Sequence, residues 1–244
     1  MIITDTAPRS CVCPNNCEWA PADPANLCRM NRYLTVPPDS LSRRARSFVS
    51  IHGIRLDPRP LEEHRGFWLE RGIPAKQIDR MIAFEERWGG FALAPAPAYE
   101  GGPRLFGADS PEGSPEEGWW FSAGDQRCSV PFSFWIGPND EFGIYGPIWT
   151  PLHSSIEGWV ESVALAHHAA LWAKTITKLH GADVDALDLS RFEQVPEVRG
   201  LADTWWKHPG SYIAIFHGES RANVSTRTAA AKRAFIYEGL PAWA

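Results

Sequence analysis

Residues 129–149 constrain the fold more than any other part of this chain. Phe132, Phe134 and Ile136 alternate with Ser133 and Trp135, the period of two that gives a strand one apolar face. Residues 141–149 (EFGIYGPIW) form a second such run. Between them, Pro138-Asn139-Asp140 has the φ preferences of a tight turn. Together they predict an antiparallel hairpin with an indole on its outer face. Residues 91–151 read as a strand meander around it, with Trp119-Trp120-Phe121 in a further strand.

On either side the period becomes helical. Pro74 is tolerated in a first helical turn, where its missing N–H would be unpaired anyway. Ile78, Met81, Ile82, Phe84 and Trp88 recur at helical spacing and Gly89-Gly90 offers a left-handed stop, so a helix is expected over 74–88. A longer one is expected over 154–180. Ser154 and Glu157 fit a capping box there, and Ile156, Trp159, Val160, Val163, Ala166 and Ala170 form the apolar stripe, before Gly181. Two shorter helices are expected, one capped by Asp39 or Ser40 and ending at His52-Gly53, the other over 61–71. The tail adds a strand at 212–216 and a segment, 226–237, that fits helix or strand.

The order points to an α+β fold with a largely antiparallel sheet flanked by helices. Residues 1–38 stand apart: they show no hydrophobic period and carry six prolines and four of the five cysteines. They read as an irregular arm, with 39–244 as one domain, a length that single β-rich domains reach. Hydrophobic residues at 44% and charged residues at 22% exclude wholesale disorder.

A net charge of −5 argues against a nucleic-acid partner. No apolar run approaches the ~18 residues of a membrane span. The opening MIITDTAPRS has no basic and apolar leader pattern, so a cytoplasmic protein with reduced thiols is expected. Cys11, Cys13, Cys17 and Cys28 could hold a tetrahedral, structural zinc. Their spacing lacks paired C-x2-C knuckles, and incidental thiols in an irregular arm fit as well.

Catalytic signatures are scarce. Gly218-Glu219-Ser220-Arg221-Ala222 resembles a nucleophile elbow, but no histidine follows His217 as that fold's chain order demands. A turn after a strand is the simpler reading. His167-His168 are adjacent, whereas a helical metal pair needs i, i+3 or i+4. Phosphate loop, dinucleotide fingerprint and deaminase zinc motif are all missing from the sequence. A hydrolase or transferase would have to assemble its site from distant residues such as Cys128, His153 and Glu157.

Charge is distributed unevenly. Residues 99–161 contain ten acids and two arginines, a local charge of −8, and the remainder carries +3. The same stretch holds many aromatic residues. Glu116, Glu117, Trp119, Trp120, Trp135, Asp140, Glu141 and Tyr145 are the candidate contacts for a basic protein, with rings as anchors and charge guiding encounter. Arg43-Arg44-Ala45-Arg46 reads as a solvated helix face.

Gly72-Ile73-Pro74, then Ile78, Phe84-Glu85 and Gly89-Gly90-Phe91, resemble the opening signature of the SUKH superfamily. The later order is similar too: a strand meander, Gly143-Ile144-Tyr145-Gly146, then a helix through Ser154, Ser155, Ile156, Glu157, Trp159, Val160 and Glu161. The resemblance covers roughly residues 72–240; the Cys- and Pro-rich start departs from it. It implies a non-enzymatic, cofactor-free binding domain. Many bacterial members are immunity proteins that block a cognate polymorphic toxin, often a nuclease or nucleic-acid deaminase, while some eukaryotic relatives are adaptors.

Overall fold

Ser42 starts helix α1 (Arg43–His52): its hydroxyl accepts the Ala45 N–H at 3.2 Å, satisfying an otherwise orphaned donor of the first turn. The expected caps, Asp39 and Ser40, lie ahead of the helix. In this computed structural model residues 36–224 and 232–241 are described. Nearly all of the 1–38 arm, including Cys11, Cys13, Cys17 and Cys28, therefore falls outside the described residues, as do residues 226–231 of the ambiguous 226–237 segment, whose described part is strand.

The expected 61–71 helix is a 3₁₀ turn (Leu61–His64) running into helix α2 (Arg65–Glu70). Helix α3 (Ala75–Trp88) follows the expected periodicity, with Pro74 one residue ahead in extended conformation. Ile78, Met81, Phe84 and Trp88 are buried. So is Glu85, whose carboxylate accepts the Arg59 N–H at 2.8 Å and the Ala108 N–H at 2.7 Å, tying two loops to the helix. Gly90 follows at φ 77, and a side chain there would collide with the Leu56 carbonyl. Only glycine meets both demands. This close approach lets β1 (Ile54–Arg55) pair with β2 (Phe91–Ala92).

The meander forms a six-stranded antiparallel sheet. Its strands are β3 (Pro103–Phe106), β4 (Glu112–Ser114), β5 (Gly118–Gln126), β6 (Ser133–Ile136), β7 (Phe142–Tyr145) and β8 (Trp149–His153). Their order is β3-β5-β6-β7-β8, with β4 also paired to β5. The expected hairpin is β6–β7, with Asp140 at φ 67 in its turn, a left-handed state that Asp tolerates. The run expected over 141–149, however, ends at Tyr145, and Trp149 opens the next strand, β8.

Helix α4 (Ile156–Trp172) is buried on most of its circumference. Its cap is Ser155 and not the expected Ser154, and Glu157 pairs with Arg87 at 2.8 Å. The expectation of helix to 180 is corrected: the chain turns extended at Ala173, and Thr175–His180 becomes strand β9. The β-branched run Thr175-Ile176-Thr177 favours that state, and pairing with the C-terminal strand secures it. Ala170, expected in the stripe, is exposed. Arg44 likewise departs from a solvated face, lying 3.7 Å from the buried Glu161.

A second antiparallel sheet closes the fold. It contains β9, β10 (Glu193–Gln194), β11 (Asp203–His208), β12 (Ser211–Phe216) and β13 (Arg233–Glu238), in the order β10-β11-β12-β13-β9. One face joins the main core through Trp205, Phe216, Phe235 and Tyr237. The other packs Ile213, Ile215 and Ala234 under Val184 of the short helix α5 (Ala182–Asp185) and the segment after it. The fold is thus α+β with antiparallel sheets and packed helices, as expected from the sequence.

Candidate interaction surface

The two faces of the six-stranded sheet differ in chemistry because strand side chains alternate. Phe121, Phe134, Ile136, Phe142, Ile144 and Leu152 point inward and are buried. By the same parity Trp120, Ser122, Ser133, Trp135, Tyr145 and Trp149 share the outer face. The register sets Ser122 opposite Trp135, Ser133 opposite Tyr145, and Tyr145 opposite Trp149. Tyr145 is 49% exposed, and its ring centroid is 6.0 Å from that of Trp135. The Trp135 indole N–H donates to Ser133 Oγ at 2.8 Å, which fixes its lean along the strand.

Trp149 lies across its neighbours. A side chain at Gly143 or Gly137 would come within 2.7 Å of its indole, so those glycines make the shelf on which the ring rests. Glu141 borders the same spot. Its carboxylate accepts both the backbone N–H and the side-chain amide of Asn139, at 3.0 and 2.9 Å. This carboxylate is held in place before any partner arrives.

The candidate contacts chosen from sequence divide accordingly. Trp120, Trp135 and Tyr145 share the outer face, with Glu141 at its margin. Glu116 and Glu117 are exposed on the β4–β5 turn, which lies on the flank of this sheet. Trp119 has the inward parity and packs against the core. Asp140 forms a 2.5 Å ion pair with Arg80, whose guanidinium also reaches the Trp119 carbonyl at 3.2 Å. The local charge of −8 is therefore reduced by arginines from elsewhere: Arg80, Arg87 and Arg44 neutralise Asp140, Glu157 and Glu161. Trp149 was not singled out as a contact, although its register parity with Tyr145 would have found it.

The catalytic grouping of Cys128, His153 and Glu157 is not assembled. Cys128 is exposed, while His153 is fully buried and Glu157 is engaged by Arg87. Burial pushes the His153 imidazole down to about 4, only partly opposed by its bond to the Val198 carbonyl. That bond, at 2.9 Å, puts the proton on Nδ1, and among the described residues Nε2 has no hydrogen-bond partner. His167 sits 4.9 Å from Phe48 and 5.6 Å from His52, ring to ring. Among the described residues no group of three or more His, Cys, Asp or Glu side chains is placed to hold a metal ion. None of their helices is long and apolar enough to cross a membrane.

A buried polar cluster missed by sequence reasoning ties the turn ahead of β3 to the second sheet. The Tyr99 hydroxyl donates to the Asp203 carboxylate at 2.7 Å, and the His217 and Gly218 N–H groups donate to the same carboxylate at 3.0 and 3.2 Å. Burial pushes Asp203 up to about 7 against these hydrogen bonds, and also raises Tyr99. Next along the chain, Glu219 pairs with Arg233 at 2.6 Å. Tyr99, Glu100, Gly101 and Gly102 all have positive φ, a single left-handed turn. Each non-glycine residue in that state costs roughly 1–2 kcal/mol. Anchoring Tyr99 to Asp203 and Gly218 holds the turn. The supposed elbow is the one-turn helix α6 (Gly218–Arg221), whose first residue must be glycine because Leu152 and the Tyr99 hydroxyl occupy the space beside it.

A cleft of about 610 Å³ opens at the end of the second sheet, lined by Arg191, Glu193, Lys207, His208 and Tyr212 among others. None of the fully buried titratable groups lines it. Comparison of the chain with models of protein families, with characterised proteins and with solved structures gives no match.

Proposed function

We propose that this chain is a non-enzymatic binding protein of the immunity type, which neutralises a basic bacterial toxin by covering the toxin's working surface. The observation that carries the reading is the outer face of the six-stranded sheet. Tyr145 is exposed and Trp135 and Trp149 are half-buried on strands whose opposite face is core, and Glu112, Glu116 and Glu117 stand on the flanking hairpin with no ion pair among the described residues. Rings that can be desolvated supply affinity, and an acidic border accelerates encounter with a cationic surface. A nuclease or nucleic-acid-modifying toxin has such a surface because it must bind phosphates. The resemblance to SUKH proteins, from Gly72-Ile73-Pro74 onward, supports the same reading, and it implies a cytoplasmic place of action. A protein-binding adaptor would use the same surface with a partner that is not toxic.

Co-expression with the products of the flanking genes tests the proposal. A stable complex with one basic product, and restored growth of cells expressing it, is expected. If no flanking product is bound, or if a bound one stays toxic, the immunity reading fails.

A further inference from the structure

We infer that the outer sheet face is a seat for an arginine side chain of the protein partner, with the guanidinium laid on the Trp149 indole and paired to Glu141. This rests on the binding reading above and specifies its anchor. Three observations converge on one spot. The Trp149 ring lies against Gly137 and Gly143, so the sheet backbone supports it. The Glu141 carboxylate is within 2.7 Å of the point where a Gly137 side chain would begin, as is the Trp149 indole. Asn139 holds that carboxylate by two hydrogen bonds. Trp135 and Tyr145, with rings 6.0 Å apart, extend the aromatic floor along the strands.

A fixed carboxylate beside a flat indole selects among cations. A guanidinium is planar, weakly hydrated and forked, so it stacks on the ring while donating to the carboxylate; an ammonium is a compact, strongly hydrated point charge that cannot do both as well. The chain's own nearby guanidinium, Arg80, is committed to Asp140 and to the Gly137 and Trp119 carbonyls, and so leaves Glu141 for an incoming group. Lone exposed carboxylates on the β4–β5 hairpin would steer any cation but would not discriminate.

The test titrates the full chain with capped hexa-arginine and hexalysine peptides at physiological salt, following the indole N–H resonances by NMR. The arginine peptide should move the Trp149 and Trp135 signals and bind several-fold more tightly than the lysine peptide. Glu141→Gln, which keeps an acceptor for Asn139, should weaken arginine binding about three- to tenfold, and Trp149→Leu by at least as much. Unchanged amide spectra away from the sheet would show that both variants are folded. Equal binding of the two peptides, shifts confined to residues 112–117, or no effect of Glu141→Gln would overturn the inference. The outcome is separable from the toxin test. A neutralising complex without arginine preference removes only the seat, and arginine binding without any toxin partner removes only the immunity reading.

Discussion

The two sheets of this molecule use aromatic residues in opposite ways. In the second sheet Trp205 is 1% exposed, stacks on Tyr237 with centroids 5.7 Å apart, and donates its indole N–H to Ser162 of α4 at 2.8 Å. Residues on both faces of its central strands β12 and β13 are buried, and the sheet also buries the titratable Asp203. In the first sheet Trp135, Tyr145 and Trp149 share the outer face, where Tyr145 is 49% exposed and the two indoles are half-buried. An aromatic ring in the covered sheet holds the fold together. One on the open face contributes little to stability and is free to meet another molecule.

The sharpest way to break this contrast is to truncate one ring from each sheet. Trp205→Ala should cost about 3–5 kcal/mol in denaturant unfolding, because it opens a cavity and leaves Ser162 without its partner. Tyr145→Ala should cost less than about 1 kcal/mol in the same assay. Equal losses would erase the distinction between the sheets.

The buried carboxylate gives the next largest effect. Asp203 binds a proton more tightly folded, at about 7, than unfolded, where its ordinary value is 3.8. The folded state therefore holds more protons between those values, and stability falls as pH rises from about 4 to 7. Asp203→Asn should flatten that slope in pH-dependent unfolding. An unchanged slope would place the titration elsewhere.

Glycine positions sharpen the comparison further. Gly218→Ala drives a methyl into Leu152 and Tyr99 in the interior and should cost about 1–3 kcal/mol in thermal unfolding. Gly137→Ala meets the side chains of Trp149 and Glu141 on the open face and should cost less, while reducing arginine-peptide binding. The smallest stability effect is expected from reversing Glu116 and Glu117 together, within about 0.5 kcal/mol; Glu141 is kept because its carboxylate holds Asn139. Association with a basic partner should nevertheless slow, and its salt dependence should flatten. Asp140 is left out because its reversal would break the pair with Arg80.

Much of the first sheet was legible because one face is open. Alternation at Phe132, Phe134 and Ile136 against Ser133 and Trp135 is the direct imprint of a half-covered strand. Strand β11 was missed for the converse reason. Trp205 packs on the main core and Trp206 on the other side, so the strand carries no period of two. Strand β9 was read as helix because its short run continues the apolar residues of α4, and only its pairing with β13 distinguishes it. The α3 helix was legible from local spacing alone. The candidate surface was half legible: residue types and their clustering pointed to it, but the neutralisation of Asp140 by Arg80 and the inward parity of Trp119 are tertiary facts. The Tyr99–Asp203 bond links residues 104 positions apart, and no local pattern announces it.

Hydroxyl-radical labelling of the full chain, free and in complex with the flanking-gene product it captures, tests the central claim most directly. Tyr145, Trp135 and Trp149 should lose reactivity on complex formation, while Leu171 and Ile176, exposed at the end of α4 and in β9, keep theirs. Protection of Leu171 and Ile176 with Tyr145 unchanged would contradict the account, because the partner would then be seated on the edge of the second sheet.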